Sequence, residues 1–252
     1  MELDGKVSLV TGGAIRLGRV VAEELATAGS SVAITYRSSA EEAALAVDHI
    51  KGLGIDSIAV PMDLGNKESM AAAVRAVEDG LGPVDVLVNN ASYFEPTPLL
   101  SEESDGWYRT FDVVLHGPYE LARAVAPSML ERNQGCIINM VDLSAWHPWP
   151  DRGAHSVAKA ALLALTRQLA VELAPSVRTN AIAPGPTIPA ASFDSDQIDR
   201  LARRNLLGRW GEPADIARAA VFLASTNFVT GECITVDGGE RWGHVRERFS
   251  EQ

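Results

Sequence analysis

Seven short runs of consecutive apolar residues punctuate the chain: Val7 to Val10, Ser31 to Thr35, Ser57 to Val60, Val84 to Val88, Cys136 to Met140, Arg178 to Ile182 and Cys233 to Val236. They are continuous, not alternating, which is the pattern of strands buried on both faces. Between them lie alanine-rich stretches with helical spacing, predicting helices over Leu17 to Ala28, Glu41 to Gly52, Lys67 to Gly80, Glu103 to Arg132, Ala154 to Leu173 and Ala214 to Ala224. Strands joined by helical crossovers pair in parallel through right-handed connections. The expected class is therefore α/β, a doubly wound, seven-stranded and mainly parallel sheet flanked by helices. At 252 residues the chain is read as one domain, 1–252.

One segment breaks the rhythm. From Pro184 to Gly208, proline, glycine, serine and aspartate cluster around a short helical pattern at Gln197 to Arg204, which reads as a substrate flap at about 186–208. The polar tail after Gly243 is expected to fray.

Composition narrows the partners. With 46% apolar and 22% charged residues and no run long enough for a bilayer, no membrane association is expected. The opening Met1-Glu2-Leu3-Asp4-Gly5-Lys6 lacks a secretory pattern, so the expected compartment is cytoplasmic. A net charge of -11 disfavours nucleic acid. Cys136 and Cys233, each in an apolar stretch, read as reduced, buried thiols, with no metal site.

An acidic chain that binds an anionic cofactor needs local N–H groups or cations, and one place supplies them. Directly after the first strand comes Thr11-Gly12-Gly13-Ala14-Ile15-Arg16-Leu17-Gly18, leading into a helix. Gly12 permits the sharp turn towards a pyrophosphate and Gly18 permits close helix–strand packing. This is the dinucleotide turn of a Rossmann fold. The second strand ends in Tyr36-Arg37-Ser38-Ser39, where NAD-preferring domains carry an acid. Arg37 and Ser38 suit a 2′-phosphate instead, so the expected cofactor is NADP(H).

Thr11-Gly12-Gly13 through Gly18, Asp63, Asn89-Asn90-Ala91, Lys159 and Pro184-Gly185 together resemble the short-chain dehydrogenase/reductase family over essentially the whole chain. The resemblance implies an NADP(H)-dependent oxidoreductase. It extends the cofactor-binding set to Ile15, Arg16, Leu17, Leu64 and Ser92. It implies that Asp63 contacts adenine, that Asn90 and Ala91 line the adenosine ribose, and that Pro184, Gly185 and Thr187 border the nicotinamide and phosphates. Lys159 would hold the nicotinamide ribose. The pteridine reductase branch is closer still, because Arg16 stands where the family has its middle glycine, and Ser92-Tyr93-Phe94-Glu95-Pro96-Thr97-Pro98 follows the Asn-Asn-Ala motif. In that branch the residue at Phe94 stacks a pterin on the nicotinamide. A cation such as Arg16 in the first turn of a helix also calls for an anionic or electron-rich neighbour. A homo-tetramer or dimer is implied, formed by the two long helices.

The family's Tyr-x-x-x-Lys element appears as His155-Ser156-Val157-Ala158-Lys159, its serine position is Asp142, and its helical asparagine falls on Val114. Reducing a C=N bond needs a hydride on carbon and a proton on nitrogen, and an imine takes that proton from a modest acid. Asp142 is expected to be that acid if burial raises its pKa, with His155 as relay. Arg16, Phe94, Asp142 and Trp149, the last from a tryptophan-rich loop, are the expected substrate contacts. The expected activity is hydride transfer to a pterin-like or cyclic imine. Two alternatives stay open: a carbonyl reductase or alcohol dehydrogenase using His155 as acid/base, and a non-catalytic NADP(H)-binding regulator.

Overall fold

The computed structural model describes residues 1–100, 105–189 and 193–243. Strands β1 (Val7–Val10), β2 (Ser31–Tyr36), β3 (Ser57–Pro61), β4 (Val86–Asn89), β5 (Gly135–Met140), β6 (Val177–Pro184) and β7 (Cys233–Val236) form one sheet. Their order is β3-β2-β1-β4-β5-β6-β7, and every registered pair is parallel. The order reverses between β1 and β4, so a crevice opens there at the carboxyl ends of the strands.

Successive residues on a strand feed opposite layers. Val10, Val88 and Ile138 pack with α1 (Arg16–Thr27), α2 (Ala40–Gly52) and α8 (Pro213–Ser225). Leu9, Leu87 and Ile137 pack with α3 (Lys67–Leu81), α5 (Gly117–Glu131) and α6 (Gly153–Leu173). Each such fully buried aliphatic side chain contributes about 1.5–3 kcal/mol. Burial on both faces is what the unbroken apolar runs demand.

The helix expected from Glu103 to Arg132 is broken. Its described part consists of α4 (Asp105–Phe111), a π-helical turn over Asp112–His116, and α5; Glu103 lies outside the described residues. Pro118 cannot donate to the ladder, and Gly117 bonds five residues back to the Asp112 carbonyl. Helical periodicity continues through such a turn, so the apolar pattern conceals it. The short helix of the expected flap is α7 (Ser195–Ala202), two residues earlier than expected. Asp194 and Gln197 cap its start reciprocally, at 2.7 and 3.0 Å. Beyond it Asn205 is buried and donates to the Ala202 and Arg209 carbonyls, pinning that end of the segment. Residues 190–192 of the expected flap and the tail from 244 lie outside the described residues.

Both cysteines are free, Cys136 buried and Cys233 only half-buried, the second less enclosed than its apolar neighbours suggest. Burial pushes their thiols up to about 11 and about 12 respectively, so both stay protonated and unreactive near neutrality. No described helix is long and apolar enough to cross a membrane, and no metal-binding cluster occurs among the described residues.

Candidate active site

The turn from β1 into α1 is shaped by two glycines. Gly12 adopts φ +63°, in the left-handed region, and a Cβ on Gly18 would overlap the Gly12 carbonyl oxygen and Asn90 Nδ2. The turn is tied to the end of β4: Asn90 Nδ2 donates to the Thr11 carbonyl at 2.8 Å, while the N–H groups of Asn90 and Ala91 donate to Thr11 Oγ1 at 2.9 and 3.0 Å. No side chain caps the start of α1 at Ile15, and its first turn holds no acid. Uncapped first-turn amides above a backbone that only glycine can form suit a pyrophosphate.

A cavity of about 480 Å³ extends from this turn. Gly12, Ile15, Arg16 and Leu17 form one side, Tyr36, Arg37 and Ser38 the next, then Asp63 and Leu64, and finally Asn90, Ala91 and Ser92. Arg37 and Ser38 are exposed at its rim, with no acid at the end of β2 to oppose a phosphate. The residues expected at the glycine turn, the 2′-phosphate and the adenosine thus line one cavity, whose donors fit a phosphorylated dinucleotide, whereas Pro184, Gly185 and Thr187, expected at the nicotinamide and phosphates, are not among its lining residues.

Arg16 sits at φ +52° and is exposed; its Nη2 donates to the Ile188 carbonyl at 3.4 Å. The electron-rich neighbour expected from its helix-end position is, in this state, a backbone carbonyl beyond β6. Thr187 lines a second cavity, of about 560 Å³, with Asn205, Arg209 and Asp237, and not the first. Gly185 is packed so closely that a Cβ would overlap Asp237 Cα at 2.5 Å, and its N–H donates to the Val236 carbonyl. Pro184 ends β6 beside it.

Beyond β5 the polar residues converge. Asp142 Oδ2 accepts from His155 Nε2 at 2.6 Å, and Oδ1 accepts from the backbone N–H and hydroxyl of Ser144 at 2.9 and 2.5 Å. Burial pushes the Asp142 carboxyl up, but the His155 bond, the Lys159 charge and Ser144 together overcome it and hold it down at about 2. The shift therefore runs opposite to the one expected from burial alone: these contacts favour the carboxylate form of Asp142 over the acid. Lys159 is buried, and its Nζ donates to the Met140 carbonyl at 2.6 Å. Burial lowers its pKa, and Asp142 partly restores it.

Aromatic groups cover this pair. Phe94 meets His155 edge-to-face at 4.8 Å between centroids, and Trp149 stacks over His155 at 6.0 Å. The Phe94 segment is clamped to α6 through Thr97, whose Oγ1 accepts from the Ala154 N–H at 3.0 Å. Phe94 is half exposed, unlike a core phenylalanine. Arg152 lies over its ring at 4.3 Å. His155 Nδ1 and Arg152 Nη1 are buried without hydrogen-bond partners among the described residues. Orphaned polar atoms gathered at one aromatic ring mark a place where a ligand can complete the bonding. Val114, in the π turn, is buried and offers no polar atom.

A family model described as enoyl-(acyl carrier protein) reductase matches residues 13–240. The chain is 32% identical over 246 residues to 2-dehydro-3-deoxy-D-gluconate 5-dehydrogenase of Formosa agariphila, across 94% of this chain and 93% of that protein. The chain belongs to the short-chain dehydrogenase/reductase family. It is an oxidoreductase of that type. Another member, 3-oxoacyl-(acyl-carrier-protein) reductase of Staphylococcus epidermidis, is 33% identical over 239 residues, 93% of this chain and 98% of that one. Among solved members, FolM alternative dihydrofolate reductase 1 from Brucella canis, complexed with NADP, superposes with a TM-score of 0.91 at 31% identity over 99% of both chains.

Within this short-chain dehydrogenase/reductase, three residues of the candidate site were given no role by sequence reasoning. Ser144 had a local signal, since an aspartate two positions before a serine at a strand end favours an Asx-type turn. Arg109 lines the first cavity and Arg152 covers Phe94, yet each reaches its place from a distant element, which no local pattern announces.

Proposed function

We propose that the chain is an NADPH-dependent reductase that transfers hydride to the C=N bond of a pterin-like or other cyclic imine. The observation carrying this reading is the Asp142 carboxylate, held ionised by His155, Lys159 and Ser144 at the end of β5. Two unit charges about 4 Å apart near a protein surface interact by about 4 kcal/mol. Beside Asp142 that energy favours a protonated C=N nitrogen and disfavours the alkoxide that ketone reduction creates.

NADPH, when bound, supplies the hydride. The Gly12–Gly18 turn would hold its pyrophosphate and Arg37 and Ser38 its 2′-phosphate, while Lys159, whose Nζ donates to the Met140 carbonyl, would hold its nicotinamide ribose. The substrate nitrogen would take up a proton from water, Asp142 would hold the resulting iminium cation, and hydride addition to its carbon would discharge it. His155 orients the carboxylate from one side and Ser144 from the other. Phe94 and Trp149 offer a flat ring apolar walls, with Arg16 at the crevice mouth. The name of the dihydrofolate reductase neighbour, and the NADP it holds, support the same reading.

Carbonyl reduction is the second reading, favoured by the names of the gluconate-type and 3-oxoacyl relatives. Steady-state assays with NADPH over dihydropterins, cyclic imines and ketones decide between them. Imine or dihydropterin kcat/KM is expected to exceed that for ketones by about 100-fold, equivalent to roughly 2.7 kcal/mol of barrier. Ketone preference contradicts the proposal, and NADPH binding without any turnover leaves the regulator reading. The assembly is proposed as a homo-tetramer or dimer through α5 and α6, where Tyr119, Val157 and Val171 are exposed; sedimentation as a monomer at micromolar concentration contradicts that. The proposed compartment is the cytoplasm.

A further inference from the structure

At the outer end of the first cavity, Asp63 and Leu64 follow β3, beside Arg37 and Ser38 at the end of β2, and Arg109 reaches them from α4. Arg109 Nη2 donates to Asp63 Oδ1 at 2.7 Å, and the Gly65 N–H donates to the same oxygen at 2.9 Å. Oδ2 has no hydrogen-bond partner among the described residues, and the side chain remains 41% exposed at the cavity wall. The guanidinium crosses directly over Gly65, where a Cβ would overlap its Nη1. The missing side chain at 65 is thus the passage through which Arg109 arrives.

The cavity dictates what Asp63 can meet. With a 2′-phosphate at Arg37 and Ser38, the base on the same ribose extends towards β3, the next strand outward in the sheet. Adenine presents an exocyclic N–H there, and a free carboxylate oxygen is the matching acceptor. A carboxylate close to a phosphate in a chain of net charge -11 repels its ligand unless a cation offsets it. Arg109 supplies that cation and fixes the rotamer at once. The Gly65 N–H and Arg109 together hold the Asp63 carboxyl below its usual range, so it stays an acceptor throughout the neutral range.

We propose that Arg109 is a positioning residue for the cofactor: it occupies Oδ1 of Asp63 so that Oδ2 is presented to the adenine amino group. The inference rests on the NADPH reading above. Arg109 touches no reacting atom, so its effect falls on cofactor affinity and adenine discrimination, not on turnover.

Fluorescence titration of the full chain with NADPH and with its 6-deamino analogue, which carries hypoxanthine, tests this. Wild type is expected to prefer NADPH by about tenfold or more, the worth of one hydrogen bond to a charged acceptor. Arg109→Met is expected to weaken NADPH binding about tenfold and to reduce that preference to within about twofold, with kcat at saturating cofactor unchanged. Gly65→Ala, which displaces the guanidinium without deleting it, is expected to do the same, and Arg109→Lys to recover part of the preference. A purely structural role would weaken both cofactors equally. An unchanged preference in Arg109→Met, or no preference in wild type, overturns the assignment while leaving the NADPH reading intact; failure of wild type to bind NADPH overturns both.

Discussion

The two ends of the crevice are built on opposite plans. At the dinucleotide end the shape is complete without a ligand: Thr11, Asn90 and Ala91 satisfy one another, and Gly18 closes against the Gly12 carbonyl with no room for a methyl group. At the Asp142 end the charge is set but the bonding is unfinished. The carboxylate accepts from His155 and Ser144, whereas His155 Nδ1 and Arg152 Nη1 are buried beside Phe94 without partners among the described residues. Preorganised backbone recognises what every member of a cofactor class shares. Unsatisfied side chains are where a particular substrate is selected, because a ligand lacking the matching groups leaves them unpaired.

This contrast breaks most visibly at Gly18. Gly18→Ala forces backbone against backbone, so NADPH affinity is expected to fall at least about 100-fold, roughly 2.7 kcal/mol, in a fluorescence titration. A loss under tenfold would show that the cradle is not rigid. The Asp142 end is sharpened by pH. Its carboxyl lies at about 2 in the folded chain, against roughly 3.9 unfolded. A depressed folded pKa stabilises the protein above pH about 4, and that increment is lost as pH falls through about 2. In urea titrations Asp142→Asn is therefore expected to cost about 2 kcal/mol at pH 7 and to converge on wild type near pH 2. A constant difference across that range would mean that the charge contributes nothing. The smallest expected effect is at the rim. Arg37 is exposed, so Arg37→Ala is expected to narrow the NADPH-over-NADH preference about tenfold, and an unchanged ratio removes Arg37 from phosphate recognition.

The contrast also decides what was legible in the chain before folding. The glycine turn is local, so its residues, spacing and the strand before it announce the cradle directly. Strand identities were equally plain, because continuous apolar runs such as Ile137 and Ile138 must be buried on both faces. The π turn at Asp112–His116 was concealed, since one inserted residue barely disturbs a helical pattern. The charge state of Asp142 could not be read from its position. Its burial argued for a raised pKa, and only His155, Lys159 and Ser144, brought together by β5 and α6, reverse the sign. Arg109 and Arg152 were invisible for the same reason, as their partners Asp63 and Phe94 lie far away in sequence.

The fixed carboxylate is the centre of the account, and one ratio tests it most directly: kcat/KM for a cyclic imine or dihydropterin divided by that for a ketone, in wild type and in Asp142→Asn, at saturating NADPH. The account predicts a wild-type ratio of about 100 that falls at least tenfold in Asp142→Asn, because the variant loses the charge that favours a protonated C=N nitrogen and penalises an alkoxide. A wild-type ratio below one, or a ratio unmoved by the substitution, would contradict it.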